Sequence, residues 1–218
     1  MLKNIILMGP PGAGKGSLAT LLKENLHLTH ISTGDMFREA IRNETPLGLM
    51  AKSYLDSGAL VPDEVTINLV KERLSRDDCQ NGFLLDGFPR TLVQARALDE
   101  IALEISRPIE VVINLDCDEN ELIRRISGRR MCKNCGAPYH VDTMKPKVEG
   151  ICDKCGGPLY QRADDNVDAL KVRLQHYVNS TKPLLDYYET KGILHSFDSL
   201  VGLSRLFDEV NNFLNSHD

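Results

Sequence analysis

Two sets of residues in this chain could do chemistry, and they are of different kinds. The first is Gly9-Pro-Pro-Gly-Ala-Gly-Lys-Gly16, which fits G-x-x-x-x-G-K and stands between an apolar run and a helical pattern. Glycines let successive backbone N–H groups turn inward around phosphate oxygens. The helix that follows adds partial positive charge at its N-terminus, and Lys15 adds a full one. The implied chemistry is a cradle for nucleotide phosphates, against the alternative of a glycine turn with a surface lysine. Gly16 stands where most such loops carry Ser or Thr, and Ser17 comes one place later, which displaces the usual hydroxyl ligand to Mg²⁺. Asp86, at the end of another apolar run, suits a metal-facing acid; the alternative is a turn aspartate.

The second set is Cys132-x-x-Cys135 and Cys152-x-x-Cys155, with sixteen residues between the pairs. Such pairs in a reducing compartment mean metal more often than disulfide. Four thiolates at this spacing fit a structural Zn²⁺ site, closed, with no position left open for catalysis. Glycine follows each pair (Gly136, Gly156), and residues 128–163 are rich in Gly and Pro but poor in core-type residues. Metal is therefore expected to supply this module's stability. His140 lies close by and is read as a surface residue, while Cys79 and Cys117 stand alone and read as inert small residues.

The elements that must position these residues follow from hydrophobic periodicity. Residues 3–8 form a short apolar run ending at glycine, the pattern of a buried strand, and 14–26 carry Leu18, Leu21, Leu22 and Leu26 at helical spacing. A second apolar stretch ends at Ile31, and Ser32-Thr-Gly-Asp35 reads as a turn and helix cap before a helix over 36–42. Residues 44–62 hold another short helix, bracketed by Pro46 and by Gly58 with Pro62. Asp63 is expected to cap a helix to about Ser75, with Val65, Leu69, Val70 and Leu74 on one face. Residues 82–86 and 109–115 read as buried strands leading into Asp86 and Asp116, Thr91 caps a helix over 92–103, and 119–127 is helical. After the cysteine module come one long helix over 167–190, a strand near 194–197 and a last helix through Leu203, Phe207, Val210 and Leu214. Strands alternate with helices, which predicts an α/β fold with a parallel sheet covered on both faces.

Composition excludes several classes. A content of 42% hydrophobic and 26% charged residues is that of an ordinary globular protein, not a disordered one. The net charge of −5 argues against a nucleic-acid coat, since phosphate-backbone binders are usually basic. No apolar run approaches the ~18 residues of a membrane span. The four apolar residues before Gly9 are too few for a signal-peptide core, so a cytoplasmic protein is expected, with no membrane partner.

Taken in order, Gly-x-x-Gly-x-Gly-Lys-Gly-Ser, Ser32-Thr-Gly-Asp-Met-Phe-Arg38, Asp86-Gly-Phe-Pro-Arg90-Thr with Gln94, and Arg162 with Asp164-Asp165 and the later Arg173 resemble the adenylate kinases. The likeness is to the bacterial long form with an extended lid, and it runs over nearly the whole chain. It implies a P-loop NTPase-type parallel sheet flanked by helices, with an inserted AMP-binding helical segment and a small zinc-bearing lid. Residues 1–31, 62–127 and 166–218 would form the core domain, 32–61 the AMP-binding domain and 128–165 the lid. The reaction implied is MgATP plus AMP giving two ADP, with ATP, AMP and ADP as the partners and a monomer as the working unit. Gly12, Ala13, Gly14, Lys15, Gly16, Ser17, Arg129, Pro138, Tyr139 and the backbone near Val201 match positions that hold ATP. Thr33, Arg38, Ala59, Leu60, Val61, Gly87, Phe88, Pro89, Arg90, Gln94, Arg162 and Arg173 match positions that hold AMP. Lys15, Asp86, Arg90, Arg129, Arg162 and Arg173 match the catalytic set. The family most often has Thr where this chain has Ser17, and a polar residue where it has Leu18.

This chemistry suits arginine. Phosphoryl transfer spreads charge over three equatorial oxygens, so positioning and cationic stabilisation dominate, and no strong base is needed. Thr33 separates AMP from UMP or CMP as acceptor, because pyrimidine-directed relatives generally carry a non-hydroxyl residue there. Two other readings remain open from sequence: a nucleic-acid-linked ATPase with a zinc ribbon, and a homologue that binds nucleotides without catalysis. The absence of a basic helix and of an aromatic stripe speaks against the former, and the complete set of cations against the latter.

Overall fold

β1 (Asn4–Met8), β3 (Phe83–Asp86) and β4 (Val111–Asp116) are nearly continuous apolar runs because both faces of each are buried. With β2 (Thr29–Ser32) and β8 (Leu194–Asp198) they form a five-stranded sheet of order β2-β3-β1-β4-β8, parallel throughout. The computed structural model describes residues 3–216; residues 1, 2, 217 and 218 of the expected core domain lie outside them.

Side chains alternate across the sheet. Ile5, Leu7, Leu84, Val111, Ile113 and Leu115 face α1 (Lys15–Leu26), α6 (Glu119–Gly128) and α9 (Leu203–Ser216). Ile6, Met8, Phe83, Leu85 and Val112 face α4 (Asp63–Leu74), α5 (Leu92–Glu104) and α8 (Pro183–Thr190). The expected two-sided parallel sheet is therefore present. Leu18, whose type departs from the family pattern, is a fully buried core residue on α1.

α2 (Thr33–Arg42) and α3 (Pro46–Ser57) pack on each other around Phe37, Ala51 and Val61. α2 starts three residues earlier than periodicity suggests, because the Ser32 hydroxyl accepts from Asp35 N and caps it at once. α4 divides its apolar residues: Val70 and Leu74 go to the main sheet, while Val65 and Leu69 meet the α2–α3 cluster. Asp63 is not its cap; Pro62 holds that place and Asp63 opens the first turn.

The expected long helix over 167–190 is broken. α7 (Val167–His176) passes into a π-helical turn at Tyr177–Thr181 before α8. Pro183 has no N–H for the ladder, and the Lys182 N–H reaches back to Tyr177 O. The turn brings the Thr181 hydroxyl onto Arg90 O at 2.9 Å, tying helix to site.

Residues between α6 and α7 build a second, three-stranded antiparallel sheet from β5 (Arg129–Cys132), β6 (Pro138–His140) and β7 (Leu159–Tyr160), in the order β6-β5-β7. Among the described residues no helix is long and apolar enough to cross a membrane.

Candidate active site

The glycine loop leaves the carboxyl end of β1, the central strand, where open parallel sheets hold their ligands. Gly14 caps α1 with φ +98°, a left-handed conformation that a side chain would strain, and α1 begins at Lys15. The Lys15 ammonium donates to Gly9 O and Pro10 O at 2.8 and 2.9 Å. Burial pulls its pKa from 10.5 down to about 8; Asp86 opposes the fall and Arg90, Arg173 and Arg129 add to it.

Asp86, at the end of β3, faces the start of α1: a Cβ on Gly16 would lie 3.8 Å from its Oδ2. Burial alone would raise this carboxyl, but His30, Lys15 and Arg90 together hold it below the usual carboxylate range. The His30 Nε2 stands 3.7 Å away, beyond hydrogen-bond length yet close enough for attraction.

One cavity of about 880 Å³ is lined by the loop from Gly12 to Ser17, by Lys15 and Asp86, and by Arg38, Arg90, Arg129, Arg162 and Arg173. That volume suits a ligand larger than one nucleotide base. Burial, with Arg38 and Arg129 nearby, lowers Arg162 to about 10; burial, with Arg129 and Arg90, does the same to Arg173. The cations rest on protein acceptors. Arg38 Nη2 donates to Asp35 Oδ1 at 2.6 Å and Arg162 Nη2 to the same oxygen at 3.2 Å. Arg173 donates to Asp164 at 3.0 Å, Arg129 pairs with Asp165, and Arg90 Nε donates to Gly87 O at 2.8 Å. Six cations facing one another are costly in low dielectric, so the cavity is built for polyanions.

A smaller pocket adjoins it, sharing Arg38, Leu60, Gly87, Arg90 and Arg173 and adding Thr33, Ala59, Val61 and Gln94. The Thr33 hydroxyl, nearly buried, donates to Gly87 O at 2.9 Å. Pro89 lines the larger cavity, but the Phe88 side chain, assigned to the AMP set by resemblance, turns into the core with 1% exposure. Val201 behaves likewise: its side chain packs on the α1–α9 cluster, while Ser199, Leu200 and Gly202 around it line the cavity.

The three-stranded sheet contributes Arg129, Pro138 and Tyr139 to the cavity wall. The Cys132, Cys135, Cys152 and Cys155 sulfurs lie within 4.8 Å of one another, and among the described residues they are the only such group. Cys132 and Cys155 approach at 3.4 Å, Cys135 and Cys152 at 3.6 Å, far beyond a disulfide bond. Tetrahedral Zn²⁺ with bonds of about 2.3 Å separates its sulfurs by about 3.8 Å, so the residues fit that ion. The Tyr139 hydroxyl donates to Cys152 Sγ at 3.4 Å and accepts from Asp153 N at 2.7 Å. The tyrosine's donation leads the causes that draw Cys152 down to about 6, whereas burial pushes Cys135 up to about 12.

Two residues differ from expectation. His140 is not on the surface: it is 8% exposed, its Nδ1 accepts from Asp142 N and Thr143 N, and its Nε2 meets Arg124 O at 3.3 Å. A Cβ on Gly128 would overlap its ring, so glycine is needed where α6 meets β5. Arg125 carried no motif, yet it joins three parts of the site. It pairs with Glu121 and donates to Ala13 O in the loop and to Ser199 O and Oγ on the far wall. Its spacing from Arg129, one helical turn, is the only sequence signal that marks it.

The family model described as adenylate kinase matches residues 7–193. The chain is 54% identical to an adenylate kinase of Geobacillus sp. (strain WCH70) over 211 residues, 97% of this chain and 98% of that protein. It is 53% identical to an adenylate kinase of Bacillus subtilis (strain 168), covering 97% of each chain. An adenylate kinase of Carboxydothermus hydrogenoformans is 51% identical over 96% of this chain and 98% of its own.

Proposed function

The chain belongs to the adenylate kinase family, and from that premise we propose that it transfers the γ-phosphoryl group of MgATP to AMP, reversibly, giving two ADP. One observation carries the reading: Lys15, Arg38, Arg90, Arg129, Arg162 and Arg173 converge on one cavity that runs from the glycine loop into the Thr33–Gln94 pocket.

The roles follow from placement. The loop from Gly12 to Ser17 and Lys15 hold the donor's β- and γ-phosphates, and Asp86 faces the Mg²⁺ that arrives with ATP. Arg38 and Arg90 hold the acceptor phosphate. Arg129, Arg162 and Arg173 leave their aspartates for the transferring group and neutralise its equatorial oxygens. The acceptor needs no base, because a phosphate monoester with a second pKa near 6 is largely dianionic at pH 7. Thr33, the 59–61 backbone and Gln94 take the acceptor base; Pro138, Tyr139 and the backbone beside Val201 take the donor nucleotide.

In this reading 32–61 is the AMP-binding domain, 128–165 the lid, and the remainder the core. Closure of both segments keeps water from the γ-phosphate. Zn²⁺ held by Cys132, Cys135, Cys152 and Cys155 supplies stability to the lid and no chemistry. We place the enzyme in the cytoplasm as a monomer.

Phosphorus NMR of the purified protein with Mg²⁺ and ATP, offered AMP, UMP, CMP or GMP separately, tests this. ADP from ATP and AMP with little free phosphate is the expected result. Transfer to UMP or CMP in preference to AMP overturns the acceptor, and free phosphate without a nucleotide product overturns the kinase.

A further inference from the structure

Gln94 faces the smaller pocket yet is only 2% exposed, and both ends of its amide are already engaged. Nε2 donates to Asp63 Oδ1 at 2.8 Å, and Oε1 accepts from Arg90 N at 2.7 Å. An amide is turned one way or the other by its neighbours, since its nitrogen only donates and its oxygen only accepts. A carboxylate cannot donate and a backbone N–H cannot accept, so both neighbours dictate the same orientation. Asp63 is itself fixed: the Thr91 hydroxyl donates to its Oδ2 at 3.0 Å, and Thr91 also caps α5 by accepting from Gln94 N at 3.2 Å.

One N–H and one lone pair of the Gln94 amide remain for a ligand. They match an edge that offers an acceptor beside an amino group, as N1 and the 6-amino group of a 6-aminopurine do. A 6-oxopurine presents the reverse, N1–H beside an oxygen, and would set donor against donor. We propose that Asp63 is a specificity-determining positioning residue: it locks the Gln94 amide so that the acceptor pocket takes 6-amino and rejects 6-oxo purine monophosphates. This inference rests on the acceptor reading above. Rejection of this kind is strong because the wrong base leaves buried polar groups unpaired.

The test compares AMP with IMP, which differ only at that edge, for the wild type and for Asp63→Asn, with melting temperature as the fold control. An asparagine can donate as well as accept, so the lock loosens. The kcat/KM ratio of AMP to IMP is expected to fall about tenfold or more, the worth of one charge-assisted hydrogen bond, with KM for ATP unchanged. Thr91→Val frees Asp63 but also removes the cap to which Gln94 N donates, so it is read beside its melting temperature and should move the ratio the same way; Thr91→Ser keeps both bonds and should keep the wild-type ratio. An unchanged ratio in both Asp63→Asn and Thr91→Val, or equal losses for AMP, IMP and ATP, overturns the proposal while leaving the acceptor reading intact. A wild type that phosphorylates neither AMP nor IMP overturns both.

Discussion

The two sheets are stabilised in opposite ways. Among the described residues, the five-stranded sheet carries a cluster of fifteen buried residues on each face. At about 1.5–3 kcal/mol for each large apolar side chain removed from water, it holds itself. The three-stranded sheet has a cluster of four, Cys132, Ala137, Tyr139 and Cys152, of which two are metal-type ligands. A unit so small and so poor in apolar surface needs a staple. The division matches the work each part does. Asp86 ends β3, Lys15 opens α1 and Arg90 follows the turn after β3, so all three are placed by elements locked in the large core. Arg129 and Arg162 ride on or beside the small sheet, and in the proposed function they close over the site with it.

The sharpest way to break this comparison is to change one residue on the rigid side. Among the described residues the Lys15 ammonium hydrogen-bonds only to two carbonyls of its own loop, so Lys15→Met should leave the fold intact and reduce transfer by about 10³ or more. Steady-state kinetics beside circular dichroism reads both; normal turnover would remove the cradle from the mechanism. On the other side the dependence should be on metal. A strong chelator should open the lid to limited proteolysis within 141–150 while the core melts as before. Tyr139→Phe, which deletes the donor to Cys152, should weaken metal retention by about 10- to 100-fold in a competition assay. A single melting transition indifferent to the chelator would show that the two sheets are stabilised alike.

A smaller effect is set by pH. Lys15 titrates near 8 in the folded protein against 10.5 unfolded, so between those values the unfolded chain binds more protons and folding stability rises with pH. Phosphates act the other way, because they favour the charged lysine. Nucleotide binding near pH 8 should therefore take up protons, and affinity should fall as pH climbs above about 8. Calorimetry in two buffers of different ionisation enthalpy measures the uptake, and Lys15→Met should abolish it. Uptake that survives in the variant would move the titration to another group.

How much of this was legible depended on whether order along the chain was enough. The sheet was, because β1, β3 and β4 are unbroken apolar runs between glycines and helices, and strand-loop-helix made the glycine loop visible. The four cysteines announced themselves by spacing. What stayed hidden came from packing across sequence. Nothing near Asp63 says that its carboxylate turns from its own helix to Thr91 and Gln94, about thirty residues on. His140 looked exposed because its module is polar, yet Gly128 makes room for its ring. The π turn at Tyr177–Thr181 follows a helical pattern that Pro183 alone hints at breaking. Phe88 and Val201 show the reverse limit: a motif carries the backbone to the site, while the side chain answers to the core.

The faintest expected effect lies at the seam between the two regions. Lys154, on the turn between Cys152 and Cys155, pairs with Glu24 of α1 at 2.6 Å, with both side chains about half exposed, at 53% and 52%. An exposed pair contributes roughly 0.2–1 kcal/mol, and salt screens it. Both residues line the rim of the cavity, and unlike the aspartate–arginine pairs this one joins the cysteine-bearing segment directly to α1. Lys154→Glu sets like charges together and should raise KM for ATP by about two- to fivefold at low ionic strength, the free energy of one such pair. Adding Glu24→Lys should recover wild-type behaviour, and both differences should shrink above roughly 0.5 M salt, where the screening length is only a few ångströms. Equal KM values in the single variant and the wild type at low salt would mean that the lid is seated by the cavity cations alone. The small sheet would then be coupled to the large one only through the ligand they share.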